Sequence, residues 1–165
     1  FKINDVVDDT EKYWNAMRNI GIEGPKVAHK NIVYFGVRDT EFPEEAAMEQ
    51  NAMRNFKVAE FRHRGAETCI DEAKEILNDC DMLYISFDVD SLDCDLISKG
   101  TGTPVSKGFD PDEVQQVIDG FITTGKVVCF EVVEVNPTLD NKGNKMAETA
   151  FEVLRRTTET LLKNL

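Results

Sequence analysis

Two aspartates, Asp88 and Asp90, are separated by a single residue in the stretch Ile85-Ser86-Phe87-Asp88-Val89-Asp90-Ser91-Leu92-Asp93, directly after an apolar run. In an extended chain residues two apart share a face, so the spacing predicts two carboxylates pointing the same way. Carboxylates held side by side repel, and the pKa of one rises unless a cation compensates them. Their hard oxygen donors suit divalent ions such as magnesium or manganese. Metal binding is therefore the chemistry on offer. A solvated acidic turn after a buried strand is the plainer explanation of the same residues, and needs no ligand.

The elements that would position these carboxylates alternate between strand and helix. Short apolar runs at Ile32–Phe35, Met82–Phe87 and Val127–Val133 read as buried strands, and Phe56–Phe61 is a weaker strand candidate. Ala66, Cys69, Ile70, Ala73, Ile76 and Leu77 form an apolar stripe at helical spacing. Asp110-Pro111-Asp112-Glu113 supplies a cap, a first-position proline and a third-position glutamate. The helix it starts buries Val114, Val117, Ile118 and Phe121 and is stopped by Gly125. Ala147, Ala150, Phe151, Leu154 and Leu161 outline a C-terminal amphipathic helix, and further helices are expected over Glu11–Ile20 and Glu44–Met53. The alternation predicts an α/β fold, three layers deep (α/β/α), with a mostly parallel sheet and right-handed crossovers. Its chemistry should collect beyond the carboxyl ends of the strands, where Asp88 and Asp90 lie.

Composition narrows the function classes. The 165 residues suit a single domain spanning residues 1–165, with 41% apolar and 30% charged residues. A net charge of −12 disfavours nucleic acid or an anionic membrane as the partner. Cys69, Cys80, Cys94 and Cys129 form no zinc spacing, and reduced thiols in a cytoplasmic protein are expected. No run is long enough to span a bilayer as a helix. The chain opens on Phe1, which suggests that upstream sequence has been removed.

An Asp-x-Asp pair also opens the haloacid dehalogenase phosphotransferases and occurs in many glycosyltransferases. The residues downstream separate these readings. Ser86-Phe87-Asp88-Val89-Asp90, Leu92-Asp93 and Gly100-Thr101-Gly102-Thr103-Pro104 resemble the signature of the arginase/agmatinase/formimidoylglutamase (ureohydrolase) family, S-F-D-V-D-x-L-D followed by G-T-G-T-P. Phe35-Gly36-Val37-Arg38-Asp39-Thr40-Glu41 is similar to the family's I-G-x-R-D-x-D segment, and Glu131-Val132-Val133-Glu134-Val135-Asn136-Pro137 to its late E-V-N-P strand end. A phosphotransferase would favour Thr or Val where Leu92 stands.

The resemblance, which spans about residues 31 to 163, implies an arginase-like fold truncated on its N-terminal side. It implies manganese-dependent hydrolysis of a linear C–N bond in a guanidino or amidine substrate, releasing urea in the arginase case. Asp88 and Asp90 would ligate a dinuclear Mn2+ centre. Glu134, Asp39, Glu41 and Thr103 would contact the substrate, with Glu134 pairing with the guanidinium. A homo-trimer or hexamer is the implied assembly. The family's other metal ligands and its proton-shuttle histidine lie in upstream segments that this sequence does not contain. His29 and His63 sit in no metal-binding context and read as surface residues. The chain alone is thus expected to be an inactive part of the enzyme, the alternative being a catalytically dead remnant with a structural or interaction role.

Three departures from the pattern bear on the substrate. Asp93-Cys94-Asp95-Leu96-Ile97-Ser98-Lys99 lacks both usual prolines and is one residue longer than common, which predicts a displaced and more mobile loop. Glu41 replaces the usual Asp. Lys107 stands where glycine is common, and could meet an anionic substrate or be an ordinary surface lysine.

Overall fold

A computed structural model describes residues 3–164. Six helices and four strands alternate along them: α1 (Ile3–Arg18), β1 (Val33–Phe35), α2 (Phe42–Gln50), β2 (Arg54–Phe56), α3 (Val58–Arg64), α4 (Ala66–Ile76), β3 (Leu83–Asp88), α5 (Pro111–Ile122), β4 (Val127–Val133) and α6 (Lys145–Lys163). The strands form two parallel pairs, β1 with β2 and β3 with β4. Parallel neighbours need crossovers, and helices supply them. This is the α/β architecture that the alternating pattern predicts.

Local signals explain most boundaries. Asp110 Oδ1 accepts from the Glu113 N–H at 2.8 Å while Glu113 Oε2 accepts from the Asp110 N–H at 2.8 Å, a reciprocal cap that starts α5. The helix ends before Gly125, whose φ of +69° cannot continue it. The weaker strand candidate at Phe56–Phe61 is corrected. Only Phe56 belongs to a strand, which begins at Arg54, and Val58 opens α3. Val58 and Phe61 are three apart and both buried, a helical period that an apolar count over six residues mistakes for strand.

The core lies between the strands and the helices α3 to α6. Phe56, Phe61, Cys69, Ile70, Leu83, Phe87, Phe109, Ile118, Phe121 and Val153 are buried together. Phe35 stacks on Phe56 at 4.9 Å, and Phe61 meets Phe109 edge-on at 5.1 Å. On β3, Leu83 and Phe87 face this core while Tyr84 and Ser86 face outward; Tyr84 is 58% exposed and Val128 on β4 is 63% exposed. Helices of the described residues thus cover one face of the β3–β4 pair and leave these side chains of the other in the open.

Register decides what reaches the carboxyl edge. Ser86 pairs with Glu131, Phe87 with Val132 and Asp88 with Val133. Because the strands run parallel, Asp88 and Glu134 leave the pair on the same edge. At the end of β1, Gly36 has φ +75° and a Cβ there would sit 2.6 Å from the Phe109 ring. Glycine therefore lets the end of β1 close down on Phe109, which carries Arg38 toward the loop after β3.

Candidate metal centre

Asp88 and Asp90 do not share one strand face as their spacing predicts. β3 stops at Asp88, and Val89–Ser91 coil into a single 3-10 turn, so Asp90 does not continue the extended chain. The two carboxylates meet for a different reason. Asp88 caps the turn, with its Oδ1 accepting from the Asp90 N–H at 2.8 Å, and the Ser91 hydroxyl donates to the Asp88 carbonyl at 2.6 Å.

Asp90 is held from the other side. The hydroxyls of Thr101 and Thr103 donate to its two carboxylate oxygens, one each. Thr101 is buried, and the turn that carries both threonines is anchored by a hydrogen bond from Asn136 N–H to the Gly100 carbonyl at 2.8 Å. Gly100 itself packs so closely that a Cβ would fall 2.6 Å from both Asp140 Oδ2 and Met146 Cβ. Between the threonines, a Cβ on Gly102 would lie 3.9 Å from Glu134 Oε2. Thr101-Gly102-Thr103 thus spans the space from Asp90 to Glu134.

Negative charge is concentrated around Asp88. Burial pushes the Asp88 carboxyl above the usual carboxylate range, and the negative charges of Asp90 and Glu134 push it further, while the Asp90 N–H pulls it back in part. Glu134 is exposed and adopts φ +64°, a left-handed backbone that a non-glycine residue rarely holds without a reason.

The remaining expected site residues divide. Thr103 joins the cluster through Asp90. Asp39 is exposed, has φ +56°, and lines a separate open cavity of about 900 Å3 with Arg38, Thr40, Glu45, Glu49 and Lys107. Glu41 is exposed at the start of α2, where its N–H donates to Glu44 Oε2 at 2.8 Å. Lys107 has φ +62°, a left-handed backbone that glycine adopts at less cost than lysine. Among the described residues no group of three or more His, Cys, Asp or Glu side chains converges as a metal site, and His29 and His63 are both exposed.

Sequence reasoning assigned no role to Arg38 or Thr101. Arg38 is half-buried; burial lowers its pKa, and Asp93, Asp90 and Asp39 are among the neighbours that oppose the shift. The proline-free loop is also better held than expected. Ile97 and Ser98 are buried, Ser98 Oγ donates to Asp140 Oδ2 at 2.8 Å, and Asn141 Oδ1 accepts from the Lys99 N–H at 2.9 Å. Hydrogen bonds to the segment before α6 replace the stiffness that prolines would give.

A family model for the arginase family matches residues 8–158. The arginase of Bacillus subtilis (strain 168) is 32% identical over 137 residues, covering 82% of this chain and 46% of its own length. The arginase of Coccidioides immitis (strain RS) is 28% identical over 136 residues, covering 82% of this chain and 41% of its own. Among solved structures, Helicobacter pylori arginase superposes with a TM-score of 0.83 at 28% identity, covering 93% of this chain and 51% of that one. A B. subtilis arginase structure gives 0.77 at 31% identity, covering 89% of this chain and 48% of that one. The chain spans about half the length of the relatives it matches. With the aspartate turn, the threonine clamp and the Glu134 strand end in one α/β frame, and a family match over most of its residues, this chain belongs to the arginase family.

Proposed function

We propose that this chain forms part of a manganese-dependent hydrolase that cleaves a linear C–N bond in a guanidino or amidine substrate. The observation that carries the reading is the Asp88–Asp90 pair in one turn at the carboxyl edge of β3–β4, with the charge of Glu134 close enough to reach Asp88. The donor set fits a hard divalent cation: two carboxylates side by side, one of them raised in pKa by burial and like charge. It fits as part of a site, since two carboxylates leave most of the coordination positions of such an ion to other groups.

In this reading Asp88 and Asp90 hold the metal, and the Thr101 and Thr103 hydroxyls fix the orientation of the Asp90 carboxylate. Bound manganese would supply Lewis-acid activation of water and of the substrate carbon. Glu134, on the far side of Gly102, would accept hydrogen bonds from the planar substrate cation. Asp39, from the neighbouring cavity, and Glu41, at the start of α2, would meet the polar tail of the substrate, and a small-molecule substrate in a homo-oligomeric enzyme is the partner expected.

Activity should be assayed on the protein with its full upstream sequence, as release of urea or ammonia from arginine, agmatine, guanidinobutyrate and formimidoylglutamate, with metal content measured on the same samples. Asp90→Asn should lose both metal and several orders of magnitude in rate. Glu134→Gln should keep its metal and lose turnover. Full activity in Asp90→Asn would end the assignment. The 165-residue chain alone should bind Mn2+ weakly, with Kd of about 1 mM or more.

A further inference from the structure

We propose that Arg38 is a positioning residue for the carboxylate pair, fixing the backbone on both sides of the Asp90 clamp through its guanidinium fork. The role rests on the metal reading above, but the geometry is independent of it. All five N–H groups of a guanidinium can donate. Here each donates to a main-chain carbonyl, although the charges of Asp39, Asp90 and Asp93 lie close by.

The five acceptors come from three separate segments. Nη1 donates to Gly36 at the end of β1, at 3.3 Å, and to Ser91 in the turn after Asp90, at 3.3 Å. Nη2 donates to Leu92 at 2.9 Å and to Val105 at 2.6 Å, and Nε donates to Ser106 at 3.3 Å. Ser91 directly follows Asp90, and Val105 is two residues beyond Thr103. One planar group thus ties down the backbone that follows Asp90 and the backbone that follows the threonines gripping it.

The arrangement demands arginine rather than a cation in general. Lysine would keep the charge, but its ammonium has three donors on one nitrogen and cannot span carbonyls from three segments. Leu92 is buried, and its carbonyl would lose its close donor at that point. Loosening should therefore begin in the turn and the threonine loop, before it reaches the helices.

The test compares the wild-type chain with Arg38→Lys and Arg38→Met, and with Arg54→Met as a control that removes ion pairs away from the cluster. Amide hydrogen exchange is followed residue by residue, and Mn2+ binding by the signal of the free ion. Both Arg38 variants should speed exchange in residues 89–94 and 101–109 by tenfold or more, leaving α4 to α6 near wild type. Mn2+ affinity should drop by about tenfold, as when an outer partner of a metal ligand is lost. Exchange that rises evenly across the chain, as in the control, would reduce Arg38 to general stability and overturn the proposal. So would Arg38→Lys behaving as wild type, because charge alone would then suffice. Mn2+ binding by wild type that ignores Asp90→Asn would sink the metal reading instead, while the exchange pattern still decides the role of Arg38.

Discussion

Asp88→Asn should stabilise this chain when no metal is present. Asp88 is half-buried, and burial with the charges of Asp90 and Glu134 raises its carboxyl pKa. An acid whose pKa is higher in the folded state opposes folding once it is ionised. Stability from this group is therefore lost as pH rises through the folded pKa and recovered as pH falls back toward the unfolded value. At pH 7 the charge is a net burden. Asparagine removes it and keeps an oxygen for the Asp90 N–H, so the hydrogen bond at 2.8 Å survives. The relief should be about 1 kcal/mol, within the range of single stabilising changes. For a domain of this length that raises Tm by about 2–4 °C.

Metal should reverse the comparison. Thermal unfolding is measured in chelator at pH 7 and pH 4, then in 10 mM Mn2+. With Kd near 1 mM, wild type gains about 1.4 kcal/mol from binding the folded state, and the variant gains little. The advantage of Asp88→Asn in chelator should shrink at pH 4, where wild-type Asp88 takes up its proton more readily, and should vanish or invert in Mn2+. A variant less stable than wild type in chelator at pH 7 would refute the electrostatic reasoning. A variant with the same gain from Mn2+ would refute the ligand assignment.

How far the sequence went depended on whether a signal was local. The cap at Asp110, the stop near Gly125 and the apolar run of β4 each rest on neighbouring residues, and each lies where it was expected. Phe56–Phe61 was misread because β2 and α3 abut with only Lys57 between them, and a short apolar count cannot separate two periods in six residues. Asp88 and Asp90 were legible as a pair, but their geometry was not, since the strand yields to a turn at the first of them. Arg38 was invisible as a hub because four of its five acceptors are carbonyls 53 to 68 residues away along the chain, and a carbonyl has no letter in a sequence. The loop without prolines was expected to move for a related reason: its ties to Asp140 and Asn141 lie 42 residues downstream. Contacts of that range belong to the fold.

Two further predictions test the frame around the cluster. At low pH, the network joining Arg54 and Arg64 to Glu60 and Glu72 should weaken in a defined window. The Glu60 carboxyl is held at about 2 chiefly by Arg54, so its contribution is complete above its unfolded pKa near 4.5 and is lost as pH falls toward 2. Full linkage would be worth about 3 kcal/mol; solvent screening of these partly exposed groups leaves about 1–2. Urea unfolding of wild type and Glu60→Gln should differ by that amount at pH 7 and converge as pH falls toward 2. Gly108→Ala asks whether the loops on either side of the cluster really interlock. Gly108 is buried, and a Cβ there would lie 2.4 Å from the Leu92 carbonyl carbon and 2.5 Å from Asp93 N, both backbone atoms that cannot rotate away. The chain would have to open the bridge between Leu92 and Phe109, where Phe109 N–H donates to Ser91 and Asp93 N–H donates to Phe109, each at 2.9 Å. Losing those bonds and overpacking a buried turn should destabilise the chain by at least about 2 kcal/mol. Because Ser91 adjoins Asp90, Mn2+ affinity should fall as well, in the fraction of molecules that remain folded. A Gly108→Ala protein with unchanged Tm would mean that the loop after Asp90 and the loop after Thr103 are not packed against each other, and the clamp on Asp90 would lose its mechanical basis.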